Sequence, residues 1–68
     1  MQKQWGYFIQ GEVVRVEHGN YFVKDNTGKR VRLETDYTSK VMGEFKKGDR
    51  ILAKVTEQHH ALSLIPVP

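Results

Sequence analysis

The chain is 68 residues long and mixes eleven Lys and Arg with eight Asp and Glu, for a formal net charge of +3. It contains no cysteine, which excludes a disulfide framework or a cysteine-ligated zinc site as a staple. A chain this short makes one small domain, expected over 1–68, that buries roughly 60% of its unfolded surface. No apolar run approaches the roughly 20 residues of a membrane-spanning helix.

Residues 1–4 are polar and read as a frayed end. Met1-Gln2-Lys3-Gln4 leads straight into Trp5 with no hydrophobic stretch of the signal-peptide kind. A periplasmic or exported address would therefore need a signal removed before Met1, and the address is otherwise cytoplasmic. The excess of basic residues suits an acidic partner such as nucleic acid. An interleaved, solvated charge surface would give the same balance.

Residues 5–17 read as one long strand that bends at Gly11, because an isolated Gly within a strand pattern marks a bulge or sharp bend. Tyr7 and Ile9 share one parity, and Val14 and Val16 share the other. A one-residue bulge at the bend would bring both sets to the inner face. The turn signal His18-Gly19-Asn20 leads into a second strand over 20–25. Asp25-Asn26-Thr27-Gly28 leads into a third over 29–35. Alternation assigns Tyr21, Val23, Val31 and Leu33 to the interior. Phe22, Lys24, Arg30, Arg32 and Glu34 fall on the outside.

Residues 36–49 are irregular and read as a loop with at most one short turn. Val41, Met42 and Phe45 are its expected apolar anchors, and Gly43 between them weakens a helix. Lys46-Lys47-Gly48-Asp49 is a turn into a fourth strand over 50–56, with Ile51, Ala53 and Val55 inward. A fifth strand spans 60–65, ended by Pro66 and Pro68. No helical period is present. The expected fold is all-β: a small five-stranded antiparallel barrel of the OB type, with an SH3-like barrel as the alternative. The bend at Gly11 and the long connection after the third strand favour the OB plan.

The series Gly11-Glu12-Val13-Val14, Tyr21-Phe22-Val23-Lys24-Asp25, Gly28-Lys29, Asp36, Gly48-Asp49 and Ala53-Lys54-Val55 resembles the small bacterial OB-fold domains, which are often exported and mostly uncharacterised. The resemblance covers residues 9–65 and implies a fold without an activity. Gly11-Glu12-Val13-Val14, Tyr21-Phe22-Val23, Gly28 and Gly48-Asp49 are also similar to the S1-like RNA-binding domains, including bacterial translation initiation factor one. Those domains tend to carry aromatic and basic residues on strands two and three. Here Phe22 fills an aromatic position, and the third strand offers Arg30 and Arg32 without an aromatic.

The candidate binding surface is the outer face of the second and third strands, with Phe22, Lys24, Arg30 and Arg32, extended by Trp5 and Tyr7 if the first strand runs alongside. A base can stack on an aromatic ring while cationic groups meet phosphates. The bland reading is that Phe22 covers a barrel edge and the charges are solvated. His18, His59 and His60 fall at turns, where polar residues are ordinary. Some exported OB-fold proteins hold a metal with a Trp and Met pair and a His. Trp5, Met42 and His18 echo that set without its spacing, so neither a metal nor another cofactor is expected. The two serines, Ser39 and Ser63, lack a nucleophile-elbow context, and no Gly-rich phosphate loop is present. Asp25, Glu34 and Asp36 read as turn-capping carboxylates. The expectation is a non-catalytic, monomeric binding module whose partner is either a protein, small ligand or anionic surface, or single-stranded nucleic acid. An open strand edge offers a further mode of protein binding.

Overall fold

Alternating apolar residues and Gly-rich turns build six strands in the computed structural model, which describes residues 6–68. The strands are β1 (Gly6–Glu17), β2 (Asn20–Asp25), β3 (Arg30–Glu34), β4 (Lys40–Val41), β5 (Arg50–Thr56) and β6 (Ala61–Pro66). They form one sheet in the order β3-β2-β1-β5-β6-β4. The expected frayed end at 1–4, and Trp5 with it, lie outside the described residues.

β1 serves two neighbours. Its first half, from Gly6 to Glu12, pairs with β5, and its second half, from Gly11 to Glu17, pairs with β2. Gly11 belongs to both ladders, opposite Asp25 on one side and Ile51 on the other. A Cβ at Gly11 would collide with the Lys24 carbonyl oxygen and lie 2.9 Å from the Asp25 Cα. Only glycine lets the two backbones approach this closely.

The expected bulge at Gly11 is corrected. Inward parity runs unbroken from Ile9 through Gly11 to the fully buried Val13. The register slips later, between Val13 and Arg15, so Val14 is the extra residue. Val14 is therefore partly buried rather than a core residue. Val16, opposite Tyr21, is exposed at the far end of the hairpin.

β1 turns into β2 through His18 (φ 51°) and Gly19 (φ 80°), with Glu17 opposite Asn20. Positive φ at both central positions makes this a two-residue type I′ turn, whose twist matches that of the flanking strands. The β2–β3 turn is held by one carboxylate. Asp25 Oδ1 accepts from the Thr27 hydroxyl at 2.7 Å and from the Thr27 and Lys29 amides at 2.9 Å.

The barrel closes where β3 reaches β6. The Glu34 amide donates to the His59 carbonyl at 3.1 Å, and Glu34 bridges His60 in parallel. The chain then crosses to the outer edge of β6. Ser39 Oγ donates to the Ala61 carbonyl at 2.7 Å, and β4 pairs in parallel with Ser63 and Leu64. The expected 36–49 loop thus contains a two-residue strand, which adds a sixth to the five anticipated. Parallel contacts of this kind leave no local alternation to read.

Val13, Val23, Leu33, Ile51, Ala53, Val55, Ala61 and Leu64 form the fully buried core. Leu62 is the extra residue in β6, since Ser63 pairs with Lys54 and Ala61 with Val55. That irregularity lets Ala61 and Leu64, three apart, both face inward. Phe45 covers one end of the core and packs edge-on against Tyr21, with ring centroids 6.5 Å apart. Met42 is 60% exposed and is not an anchor. Among the described residues no helix is long and apolar enough to cross a membrane.

Candidate functional site

The outer face of β1, β2 and β3 is laid out in three cross-strand rows fixed by register. Glu12, Lys24 and Arg30 form one, Arg15, Phe22 and Arg32 the next, and Glu17, Asn20 and Glu34 the last. Cross-strand neighbours on one face stand about 4.5–5.5 Å apart at Cβ, so each row acts as a unit. The structure therefore brings Phe22, Lys24, Arg30 and Arg32 together.

Phe22 is partly covered. The Arg15 guanidinium carbon lies 4.4 Å from the Phe22 ring centroid, a cation–π contact. The bulge at Val14 is what turns Arg15 to this face; without it Arg15 would share the inward parity of Val13. Lys47 arrives from the turn before β5. The Gly48 amide donates to the Val13 carbonyl at 2.8 Å, and the Val13 amide donates to the Asp49 carbonyl at 2.8 Å. These bonds clamp the turn against β1. Arg15, Phe22, Arg30, Arg32 and Lys47 rim a shallow groove of about 540 Å³ floored by Val14 and Val31.

Arg15 and Lys47 escaped the sequence reading. With Val14 and Val16 read as inward, Arg15 falls on the outer side, but nothing local sets it across from Phe22, and Lys47 is far in sequence from the strands it joins. Its position at the tip of a Gly-containing turn was the only signal available for it.

Two of the cations have acidic neighbours: Arg15 lies 3.6 Å from Glu17, and Arg32 lies 3.4 Å from Glu34. All four side chains are more than half exposed. Such surface pairs contribute about 0–1 kcal/mol and yield readily to a competing anion.

Tyr7 does not extend this platform. It sits on the β5-paired half of β1, opposite Val55, with its ring edge-on to His59 at 6.3 Å between centroids. It belongs to a second hollow at one end of the barrel, lined by Tyr7, Ile9, Val31, Lys29 and His59. The candidate Trp5 lies outside the described residues.

His18 occupies the β1–β2 turn, while His59 and His60 follow β5, His60 lying 3.6 Å from an Asp36 oxygen. Among the described residues no three His, Cys, Asp or Glu side chains converge as a metal would require. Asp25 and Asp36 hold turns. The Thr27 hydroxyl holds the Asp25 carboxyl below its ordinary value, and the Thr38 hydroxyl does the same for Asp36.

No protein-family model and no curated protein matches this sequence. Among solved structures, apo-CusF residues 6–88 from Escherichia coli superposes with a TM-score of 0.72. The match covers 100% of this chain and 96% of that one, at 15% sequence identity. At this identity the likeness concerns the fold. This chain has the OB-like barrel architecture, which supports the OB class over the SH3-like alternative.

Proposed function

We propose that the protein is a non-catalytic binding module that takes a single-stranded nucleic acid across the outer face of β1, β2 and β3. The observation that carries this reading is the row Arg15–Phe22–Arg32, an aromatic ring flanked by two guanidinium groups. A base stacks on Phe22, or on the Arg15 guanidinium plane that already lies over it. Lys24, Arg30, Arg32 and Lys47 meet the phosphates on either side. The site needs no enclosed pocket, since a strand is bound along an open groove. Phosphate oxygens replace Glu17 and Glu34 as partners of Arg15 and Arg32 at little cost. The acidic third row limits the path of the strand to the first two rows.

The test is an amide chemical-shift titration with a short mixed-sequence single-stranded oligonucleotide at low salt. Shifts are expected at Arg15, Phe22, Lys24, Arg30 and Arg32. Neutralising three or four phosphates gives a log–log salt slope of about −2 to −3. Phe22→Ala removes one stacking platform, worth about 1–3 kcal/mol, and weakens binding about 5- to 150-fold. Unchanged affinity in a folded Phe22→Ala variant, or affinity indifferent to salt, refutes the assignment.

A further inference from the structure

β3 is the terminal strand of the sheet, and part of its outer edge pairs with no other described strand. In the β2–β3 ladder the odd-numbered residues of β3 face β2 for hydrogen bonding. This parity is fixed at both ends, where the Asp25 amide donates to the Lys29 carbonyl and the Thr35 amide donates to the Gly19 carbonyl. In an antiparallel pair such bonded positions alternate. The N–H and C=O groups of Arg30, Arg32 and Glu34 therefore point away from β2. The Glu34 amide is taken by the His59 carbonyl, which is where the barrel closes. No described strand pairs with Arg30 or Arg32 on that side. Among the described residues these two present an unfilled stretch of sheet edge, and both are exposed.

The two faces beside that edge differ in chemistry. Outward lie the Arg30 and Arg32 side chains, with Lys24 directly across from Arg30. Inward lies the hollow of about 330 Å³, lined by Tyr7, Ile9, Val31 and His59 on one part and by Gln10, Lys29 and the β2–β3 turn residues Asp25 to Thr27 on the other. A strand laid on this edge alternates its side chains between a cationic face and a partly apolar hollow.

Charge selects the occupant. If a second copy of β3 paired antiparallel about Arg32, Arg32 would stand opposite itself, and the two Arg30–Glu34 pairs would fall where the His59 carbonyl already occupies the edge at Glu34; about Val31, Arg30 would stand opposite Arg32 at two positions. Like charges directly opposite destabilise a pair, and charged edges of this kind oppose self-association. An acidic segment meets the opposite condition.

We propose that the free edge of β3 accepts an extended acidic peptide as an added strand, its carboxylates beside Arg30 and Arg32 and its alternate apolar side chains in the hollow beside Val31, Tyr7 and His59. Main-chain hydrogen bonds to Arg30 and Arg32 provide the affinity, and the two faces provide the specificity.

The probe is an acetylated, amidated heptapeptide that alternates glutamate with valine. The readout is hydrogen exchange and chemical shift of individual amides. Binding is expected to slow exchange of the Arg30 and Arg32 amides about tenfold or more, with new shifts at Tyr7, Val31 and His59. N-methylation of the peptide nitrogens that face β3 should weaken binding about tenfold or more, while a lysine–valine peptide of the same length should not bind. Arg32→Pro removes the edge donor without removing a bond to β2. Once the variant's amide spectrum shows the barrel intact, it should lose the peptide.

Binding that ignores N-methylation, or that shifts Arg15 and Phe22 without protecting the Arg30 and Arg32 amides, overturns the added-strand mode. So does protection of those amides that grows with protein concentration in the absence of peptide, which would identify a second copy as the occupant. Oligonucleotide binding is read separately at Arg15 and Phe22, so either reading can fail alone.

Discussion

Gly11→Ala probes the point on which both β1 ladders depend. The added methyl would run into backbone alone: the Lys24 carbonyl oxygen, with the Lys24 carbonyl carbon and the Asp25 Cα each at 2.9 Å. No flexible side chain can swing aside, so β2 must move away from β1 or the pairing of Gly11 with Asp25 must break. Overpacking of this kind costs about 1–3 kcal/mol. A chain of 68 residues has a total stability of about 3–10 kcal/mol, so the loss is a large share. In a domain of this size it corresponds to a fall in Tm of about 5–20 °C. The comparison variant is Gly28→Ala, where nothing lies within 4 Å of the added Cβ and only the positive φ of 90° is strained. That strain costs about 1–2 kcal/mol. Urea and thermal denaturation followed by far-UV circular dichroism measure both. Because Gly11 also sets how β2 lies against β1, the amide shifts of Arg15 and Phe22 should move in the folded fraction of Gly11→Ala and stay in place in Gly28→Ala. If Gly11→Ala unfolds within about 2 °C of the parent, or leaves those shifts unchanged, the close approach does not constrain the fold as argued.

Acid should destabilise the protein through its two capping carboxylates. The Thr27 and Thr38 hydroxyls hold the folded Asp25 and Asp36 carboxyls below the ordinary aspartate value, so their contribution is fully present above that ordinary value and is lost as pH falls through the folded values. Tm measured from about pH 5 to about pH 2 should fall less steeply in Asp25→Asn/Asp36→Asn than in the parent; identical slopes would show that these caps do not couple to folding. Ser39→Ala removes the hydroxyl that donates to the Ala61 carbonyl at 2.7 Å and accepts from the Asp36 amide at 3.1 Å. A loss of about 1–3 kcal/mol is expected in urea denaturation. Faster hydrogen exchange at Met42, whose amide bonds Leu64 in the same closure, should accompany it, and slow exchange there would place the closure elsewhere.

What depends on local period was legible in the residues. Tyr21, Val23, Val31 and Leu33 alternate with Phe22, Arg30 and Arg32, so the inner and outer sets of the β2–β3 hairpin were readable. Its one turn, with Gly28, fixed its register and brought Phe22 opposite Arg32 and Lys24 opposite Arg30. Gly11, a glycine between two apolar runs, stood out as a special position of the long strand, and it lies in both of its ladders. The remaining features emerge only on folding, because each depends on backbone contacts between residues distant in the chain. The bulge falls at Val14, not Gly11, because β1 must pass from β5 to β2 while the turn at Gly48 and Asp49 bonds to Val13. That shift turns Arg15 onto Phe22, and the same bonds bring Lys47 to the groove. Tyr7 shares a strand with Arg15 yet belongs to the other end of the barrel, because the two halves of β1 pair with different neighbours. Closure through Glu34 and His59 stops short of Arg32, and no local pattern in β3 records where a strand beside it ends.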